Sequence, residues 1–107
     1  MYYTYMIRCK DNSIYTGITT NIERRFKEHL NKNEKCAKYT KIHSVIKIEA
    51  VCKSETRTLA SKLEFQIKKL EKKKKEELLK TKDLTKFFQE KLECEKYKEG
   101  GILTCLS

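Results

Sequence analysis

The first twenty residues predict two β-strands joined by a short turn. Residues 2–9 and 14–18 are rich in aromatic and β-branched side chains, and the segment KDNS between them favours turn conformations. This pattern is typical of a β-hairpin. An even-numbered loop with regular pairing would put Tyr5 and Tyr15 on opposite faces of the hairpin, and an odd-numbered loop or a bulge would put them on the same face.

An amphipathic helix is predicted directly after the hairpin. Thr20 and Glu23 have the spacing of a capping box, which places the start of the helix at Thr20. The apolar side chains of this helix, which should end at about residues 31–33, repeat every four residues and are Ile22, Phe26 and Leu30. Arg25 and His29 flank this stripe, so both side chains should lean over the sheet on which the stripe packs.

A basic loop and a third strand follow. Residues 34–44 form the loop, in which Lys38, Tyr39 and Lys41 suit contacts with nucleic-acid phosphates and stacking of a base. An ordinary solvated loop explains the same residues equally well. Residues 45–53 predict the strand, and the side chains that alternate on one of its faces are Ile46, Ile48, Ala50 and Cys52.

A long helix is predicted to begin at residues 54–55. Its core stripe, spaced at three and four residues, consists of Leu59, Leu63, Ile67 and Leu70. Glu64 lies at the margin of this buried face, where a solvated carboxylate would gain little. Glu64 therefore either pairs with Arg25 or binds a cation, and the residues alone favour the structural ion pair.

The last third of the chain is predicted to be mostly helical. The run of lysines and glutamates at residues 72–77 is typical of an exposed helix face. A further amphipathic helix is predicted over residues 83–97, with an apolar side formed by Leu84, Phe87, Phe88 and Leu92. That side either completes the core or docks a partner, and core completion is the commoner outcome. Residues 100–106 should form a loose tail or a short strand.

Charge indicates a polyanionic partner. The 107 residues carry a net charge of +10 and have a pI near 9.4, and the whole surplus lies in residues 1–80, because residues 81–107 hold equal numbers of basic and acidic groups. Lysines and arginines that meet phosphates release condensed counterions. Nucleic-acid binding is therefore favoured over the simpler view that Lys-rich helices are merely soluble.

The cysteines and the hydropathy of the chain indicate its cellular location. The five cysteines are an odd number without metal-ligand spacing, which predicts free thiols in a reducing compartment. No apolar run approaches spanning length, and residues 1–3 enter a strand pattern directly where a signal peptide would show a basic and then an apolar leader. We expect a cytoplasmic protein with no membrane partner.

The order of these motifs resembles the GIY-YIG nuclease superfamily, most closely its small single-domain bacterial members. The tripeptide YTY at residues 3–5 occupies the place of the first motif, and YTG at residues 15–17 occupies that of the second. The resemblance covers about residues 2–71, and the single residues that match the family's functional positions are Tyr5, Tyr15, Arg25, His29 and Glu64. Gly and Ile of the first motif are replaced here, and Ile18 stands where some members carry Lys.

The resemblance implies an α+β fold in which helices flank a small three-stranded antiparallel sheet. It assigns residues 1–80 to the nuclease domain and leaves residues 81–107 as a C-terminal helix and tail that packs on or extends that domain. It also implies metal-assisted phosphodiester hydrolysis, in which Tyr5 or Tyr15 helps deprotonate water, Arg25 holds the phosphate and Glu64 binds Mg²⁺ or Mn²⁺. The physical logic agrees, because guanidinium groups bind phosphate in a bidentate manner and hard cations prefer oxygen ligands.

Two functions from different classes are compatible with the sequence. The first is a metal-dependent endonuclease that acts on DNA and has a role in DNA repair or processing. The second is a nucleic-acid-binding module that has kept the fold and lost turnover. Survival of all the matching side chains together favours the endonuclease, because binding alone would require only the lysines. A third and weaker hypothesis makes residues 81–107 a protein-docking segment.

Overall fold

Helices cover both faces of a small antiparallel sheet. The computed structural model describes residues 1–32 and 38–99. The strands, in chain order, are β1 (Tyr2–Cys9), β2 (Ile14–Thr19), β3 (Val45–Ser54) and the short β4 (Lys98–Glu99), and the helices are α1 (Ile22–Leu30), α2 (Lys38–Ile42), α3 (Arg57–Lys68), α4 (Lys72–Thr81) and α5 (Leu84–Phe88). The spatial order is β2-β1-β3-β4. The predicted α+β fold is confirmed, and β4 extends its three-stranded sheet at the β3 edge.

The hairpin register decides the question that the sequence left open. β1 and β2 pair so that Tyr5 and Tyr15 lie on the same face. The Cys9 amide donates to the Ser13 carbonyl at 2.9 Å, which closes a loop of odd length, and Asn12 takes the left-handed conformation there with φ of 70°. Asn tolerates that conformation better than most residues. The two tyrosines can therefore contribute to one site.

Two apolar clusters form the core, one on each face of the sheet. The cluster beneath α1 consists of Tyr5, Ile7, Cys9, Ile22, Phe26, Ile48 and Val51. The cluster on the opposite face, beneath α3 and α4, consists of Met6, Ile14, Leu63, Ile67, Leu78, Phe88, Leu92 and Tyr97. Because Phe88, Leu92 and Tyr97 come from the C-terminal third, that segment completes the second cluster.

The start and the buried face of α1 differ from the predictions. Asn21, and not Thr20, is the N-cap, because its side chain accepts a hydrogen bond from the Arg24 amide at 3.1 Å. Leu30 is 45% exposed, whereas His29 is fully buried. At about 100° per residue, His29 lies about 20° from the centre of the stripe at Ile22 and Leu30 about 80° from it, so the histidine takes the core position.

The predicted alternation along β3 is wrong because of a bulge. Ile7 of β1 faces Ile48, but its neighbour Met6 faces Ala50, so the intervening residue of β3 has no partner. The side chains on either side of that irregularity therefore point to opposite faces. Ile48 packs in the cluster beneath α1, Ala50 and Cys52 pack on the other cluster, and Ile46 is 46% exposed.

The helix α3 also has different bounds from those predicted. β3 continues to Ser54, and α3 begins only after the N-cap Thr56, whose side chain accepts from the Leu59 amide. α3 ends at Lys68, so Leu70 of the predicted stripe lies beyond it and is only partly buried.

The helix predicted over residues 83–97 is shorter than expected. It ends at Phe88, and a 3₁₀ turn over Cys94–Lys96 leads into β4. The Tyr97 hydroxyl donates to the Leu59 carbonyl at 2.6 Å, and β4 pairs with β3, so tertiary contacts replace the last helical turns. Residues 100–106, predicted as a tail or strand, lie outside the described residues. None of the described helices is long and apolar enough to cross a membrane.

An ion-pair network on the sheet holds α4 in place. Arg8 of β1 donates to both carboxylate oxygens of Glu76, at 2.5 and 2.7 Å, and also to Glu49 of β3 at 2.8 Å. The Arg8 side chain is 13% exposed. The guanidinium bonds lower the pKa of Glu76 to about 2. The network joins two strands to a helix that is otherwise mostly exposed.

We expect Glu76→Gln to lower the free energy of unfolding by about 1 kcal/mol at pH 7, because the pair is bidentate but the carboxylate is partly solvated. The folded-state pKa lies below the ordinary value, so this contribution is complete above pH of about 4.5 and is lost as pH falls toward 2. Urea unfolding from pH 7 to pH 3 measures it. Glu77→Gln, which breaks the looser 3.6 Å pair with Lys74, is the matched control. Equal losses from both variants would contradict the prediction.

Candidate active site

Tyr5 lies at the centre of the site and requires the glycine opposite it. Its ring comes from β1 and is 1% exposed, and its backbone partner on β2 is Gly17. A Cβ atom at Gly17 would lie 2.6 Å from the Tyr5 hydroxyl oxygen and 2.8 Å from the ring carbon that bears it. The glycine of the YTG motif is therefore needed because the tyrosine ring of the YTY motif lies directly over it.

His29 connects Tyr5 to α2. Its Nε2 is 2.8 Å from the Tyr5 hydroxyl and its Nδ1 is 2.6 Å from the Thr40 hydroxyl, and both bonds are buried. Burial, together with the nearby charge of Arg25, lowers the pKa of His29 to about 4. The imidazole is consequently neutral at pH 7, so one nitrogen donates and the other accepts. Thr40 and Tyr5 thus fix the orientation of the ring.

Arg25 brings a positive charge to the same tyrosine. The guanidinium hydrogen-bonds to Tyr5 and pairs with Glu28 of its own helix at 2.8 Å. Burial, and after it the neighbouring Tyr15, raises the pKa of Tyr5 far above the ordinary tyrosine value, although Arg25 opposes the shift. Tyr5 is therefore protonated throughout the neutral range and acts in the site as a hydroxyl group.

Glu64 is linked to Tyr15 through Lys68. The ammonium group of Lys68 lies 3.3 Å from the Glu64 carboxylate and 5.8 Å from the centre of the Tyr15 ring. The negative charge of Glu64 also contributes to the raised pKa of Tyr5. The interhelical ion pair predicted between Arg25 and Glu64 is thus wrong in its partners, because the described ion pair of each residue lies within its own helix. The intrahelical spacings, three residues for Arg25 and Glu28 and four for Glu64 and Lys68, explain this preference.

Tyr39 extends the aromatic surface of the site. Its ring stacks on Tyr15 with a centroid distance of 5.6 Å and on His43 with one of 4.1 Å. His43 in turn bonds to the carboxylate of Asp11 in the hairpin loop. The predicted basic loop is helical over Lys38–Ile42, and both of its candidate lysines, Lys38 and Lys41, are exposed. Residues 33–37 lie outside the described part of the chain.

The structure brings most of the predicted residues together and adds two that the sequence did not identify. Tyr5, Tyr15 and His29 are in mutual ring contact, with centroid distances of 5.4 to 6.3 Å. Thr40 was missed because nothing local distinguishes a threonine that hydrogen-bonds to a distant histidine. Lys68 was missed as well, although its position four residues after Glu64 is a signal for an ion pair.

The Glu64 carboxylate suits a hard cation whose other ligands are mainly water molecules. Among the described residues, no group of three or more His, Cys, Asp or Glu side chains could hold a metal ion. Mg²⁺ often uses only one or two carboxylates and keeps several waters. The Glu64 side chain is 24% exposed, and its partner Lys68 is half exposed, so the carboxylate is accessible. The residues present therefore fit Mg²⁺ or Mn²⁺ bound through Glu64.

Comparison with known proteins identifies the family. The model of the GIY-YIG catalytic domain matches residues 1–77. A UPF0213 protein of Fusobacterium nucleatum is 51% identical over 78 residues, which cover 73% of this chain and 76% of the relative. A UPF0213 protein of Cupriavidus necator is 44% identical over 69 residues, covering 64% and 73% of the two chains. The chain belongs to the GIY-YIG family.

A solved structure of a further relative is similar to this chain. The solution NMR structure of a UPF0213 protein from Bacillus halodurans is 36% identical and covers 77% of this chain and 86% of its own, with a TM-score of 0.47.

Membership of the GIY-YIG family places the protein in a nuclease superfamily and implies a nucleic-acid substrate. The family is in general dependent on divalent metals.

We expect Gly17→Ala to lower the free energy of unfolding by about 1–3 kcal/mol, because the added methyl group must displace the buried Tyr5 ring. Urea unfolding measures the loss. The nearest atom is the hydroxyl oxygen, so the same substitution in a Tyr5→Phe background should cost less. An equal cost in both backgrounds would show that the methyl group and the hydroxyl do not meet.

Proposed function

We propose that this protein is a divalent-metal-dependent endonuclease that hydrolyses phosphodiester bonds in DNA and acts in DNA repair or processing in the cytoplasm. The observation that supports this most directly is the position of Lys68, which lies against both the Glu64 carboxylate and the Tyr15 ring. A carboxylate able to bind Mg²⁺ and the ring of Tyr15 thus meet the same ammonium group. Arg25 reaches the other tyrosine of the site through its bond to Tyr5.

Tyr15 is the better candidate for the residue that helps to deprotonate water. Tyr5 is almost fully buried and its pKa is strongly raised, so its phenolate is the more difficult to form. Tyr15 is only half-buried, and the ammonium group of Lys68 lies 5.8 Å from the centre of its ring. In this proposal Tyr5 has a positioning role, because its hydroxyl holds both His29 and Arg25.

Arg25 would bind the scissile phosphate. Its side chain is 21% exposed, and the bonds to Glu28 and Tyr5 fix the direction of the guanidinium group. A planar guanidinium group carries five N–H donors, and its geometry matches a bidentate phosphate contact. Neutral His29, held by Thr40, adds a polar group that does not repel the arginine.

Glu64 would hold the cation, which when bound supplies a Lewis acid for the phosphate and the leaving oxygen. For this, the carboxylate must exchange its ion pair with Lys68 for the cation. Because the side chain of Lys68 is half exposed, it can turn toward solvent or toward a phosphate at little cost. Glu64 itself is fixed by its place on α3, whose Leu63 and Ile67 are buried.

The nucleic-acid strand would leave the site across α2. Lys38 and Lys41 are exposed on that helix and would contact phosphates, while Tyr39 continues the aromatic surface that begins at Tyr15. The lysines carry no base information as point charges, so this contact would be independent of sequence.

The test is a cleavage assay on branched, nicked and linear DNA and on RNA, each with Mg²⁺, Mn²⁺ or EDTA. The expected result is metal-dependent cleavage of at least one DNA and none in EDTA. Binding without cleavage of any nucleic acid, under all metal conditions, would overturn the proposal and support a non-catalytic binding module.

A further inference from the structure

The outer face of α3 carries an exposed aromatic residue surrounded by basic groups. Phe65 is 60% exposed, although phenylalanine side chains are most often buried. The ammonium group of Lys69, one turn along the helix, lies 5.2 Å from the centre of its ring. Lys69 does not cover the ring, so Phe65 keeps an apolar area in contact with solvent.

A shallow groove runs beside Phe65 between α3 and the segment that follows α5. Among the described residues, its lining includes the charged side chains Arg57, Lys62 and Lys91 and no carboxylate. Ser61 and Gln66 add neutral hydrogen-bonding groups. Glu93, whose pKa Lys62 helps to lower after the larger effect of Lys96, is paired with Lys96 at 2.7 Å. The groove therefore has a positive charge and a single aromatic ring.

This groove is connected to the candidate active site through Arg57. The same arginine lines a second groove, which also contains Arg24, Arg25 and Glu28. Arg25 is the residue that hydrogen-bonds to Tyr5. A chain of basic side chains thus leads from the site around the N-terminal end of α3 to Phe65. We shall call the area formed by Arg57, Lys62, Phe65 and Lys91 the Phe65 surface.

We propose that the Phe65 surface binds a single strand of nucleic acid, with one base stacked on the Phe65 ring and the adjoining phosphates paired with Arg57, Lys62 and Lys91. Aromatic rings between basic groups suit single strands, because every base has a face that can stack and every nucleotide has a phosphate. A duplex keeps its bases stacked inside, so it would meet only the positive charges. This inference rests on the nucleic-acid substrate of the proposed function and adds a second contact outside its catalytic residues.

The test compares Phe65→Leu with wild-type protein in EDTA, so that no cleavage occurs. Leucine keeps an apolar side chain and removes the aromatic face. We expect the affinity for a fluorescent oligothymidylate, measured by anisotropy, to fall about tenfold, because stacking of a base is sequence-tolerant and sensitive to loss of the ring. Affinity for a hairpin duplex should change less than twofold. Ile46→Ala, at another exposed apolar side chain, which lies on β3, is the control and should change neither affinity.

Photocrosslinking locates the contact directly. An oligonucleotide containing 5-iodouracil should crosslink to Phe65, as mapped by mass spectrometry of the digested protein. Unchanged oligothymidylate affinity in folded Phe65→Leu protein, or crosslinks confined to Tyr39 and Tyr15, would overturn the inference and leave the surface to a protein partner. Because binding is measured without metal, absence of cleavage in wild-type protein would overturn the endonuclease proposal while leaving this result intact.

Discussion

Glu64→Gln should reduce metal-dependent cleavage by at least about a hundredfold while changing the free energy of unfolding by less than about 1 kcal/mol. A Lewis-acid contact contributes several kcal/mol to the transition state, and each 1.4 kcal/mol corresponds to about a tenfold rate. The stability change is small because the ion pair with Lys68 is partly exposed, and pairs of this spacing contribute about 0.3–0.5 kcal/mol. Cleavage in Mn²⁺, urea unfolding and DNA affinity in EDTA should be measured together.

Lys68→Ala provides the control for the ion pair itself. It removes the same salt bridge and leaves the carboxylate in place, so it should resemble Glu64→Gln in stability and retain more of the cleavage activity. If Glu64 had only a structural role, the two variants would lose stability equally and lose activity only as far as their folded fraction fell. Full cleavage by folded Glu64→Gln protein would end the assignment of Glu64 as the metal ligand.

Local patterns in the sequence were sufficient for the existence of the hairpin and of α1, because alternation and helical periodicity act over a few residues. They were not sufficient for the position of Tyr5 relative to Tyr15, which depends on the closure of the loop between Cys9 and Ser13. The face to which Ile48 points was missed for a similar reason, since the bulge in β3 arises from its pairing with β1. Register is a property of two strands together and has no signal within either.

The site shows the same division between local and long-range information. Arg25, His29 and Glu64 could be selected as candidates from motif order, but the side chains that contact them could not. His29 is the clearest example, because a histidine beside an apolar stripe gives no indication that Tyr5 and Thr40 bond to its two nitrogens. The pairing of Glu64 was missed because proximity in sequence, four residues to Lys68, prevailed over the expected contact between helices.

The two tyrosines of the site are expected to respond differently to loss of the hydroxyl group. Tyr15→Phe should lower the single-turnover cleavage rate by about 10²–10⁴-fold, the usual contribution of a general base. The ring contacts with Tyr39, His29 and Lys68 remain, so stability and DNA affinity should be nearly unchanged. Single-turnover cleavage in Mn²⁺, urea unfolding and DNA affinity in EDTA measure these three quantities, and a wild-type cleavage rate in folded Tyr15→Phe protein would contradict the assignment.

Tyr5→Phe is the matched comparison, because it removes a hydroxyl group that is buried and bonded. It leaves His29 Nε2 without its partner inside the core, which should cost about 1–3 kcal/mol of stability. Its cleavage rate should fall through displacement of Arg25, but less than that of Tyr15→Phe, since Tyr15 is still present. If folded Tyr5→Phe protein lost more of its single-turnover rate than folded Tyr15→Phe protein, the base would be Tyr5, and the strong burial of that hydroxyl would have to be relieved when substrate binds.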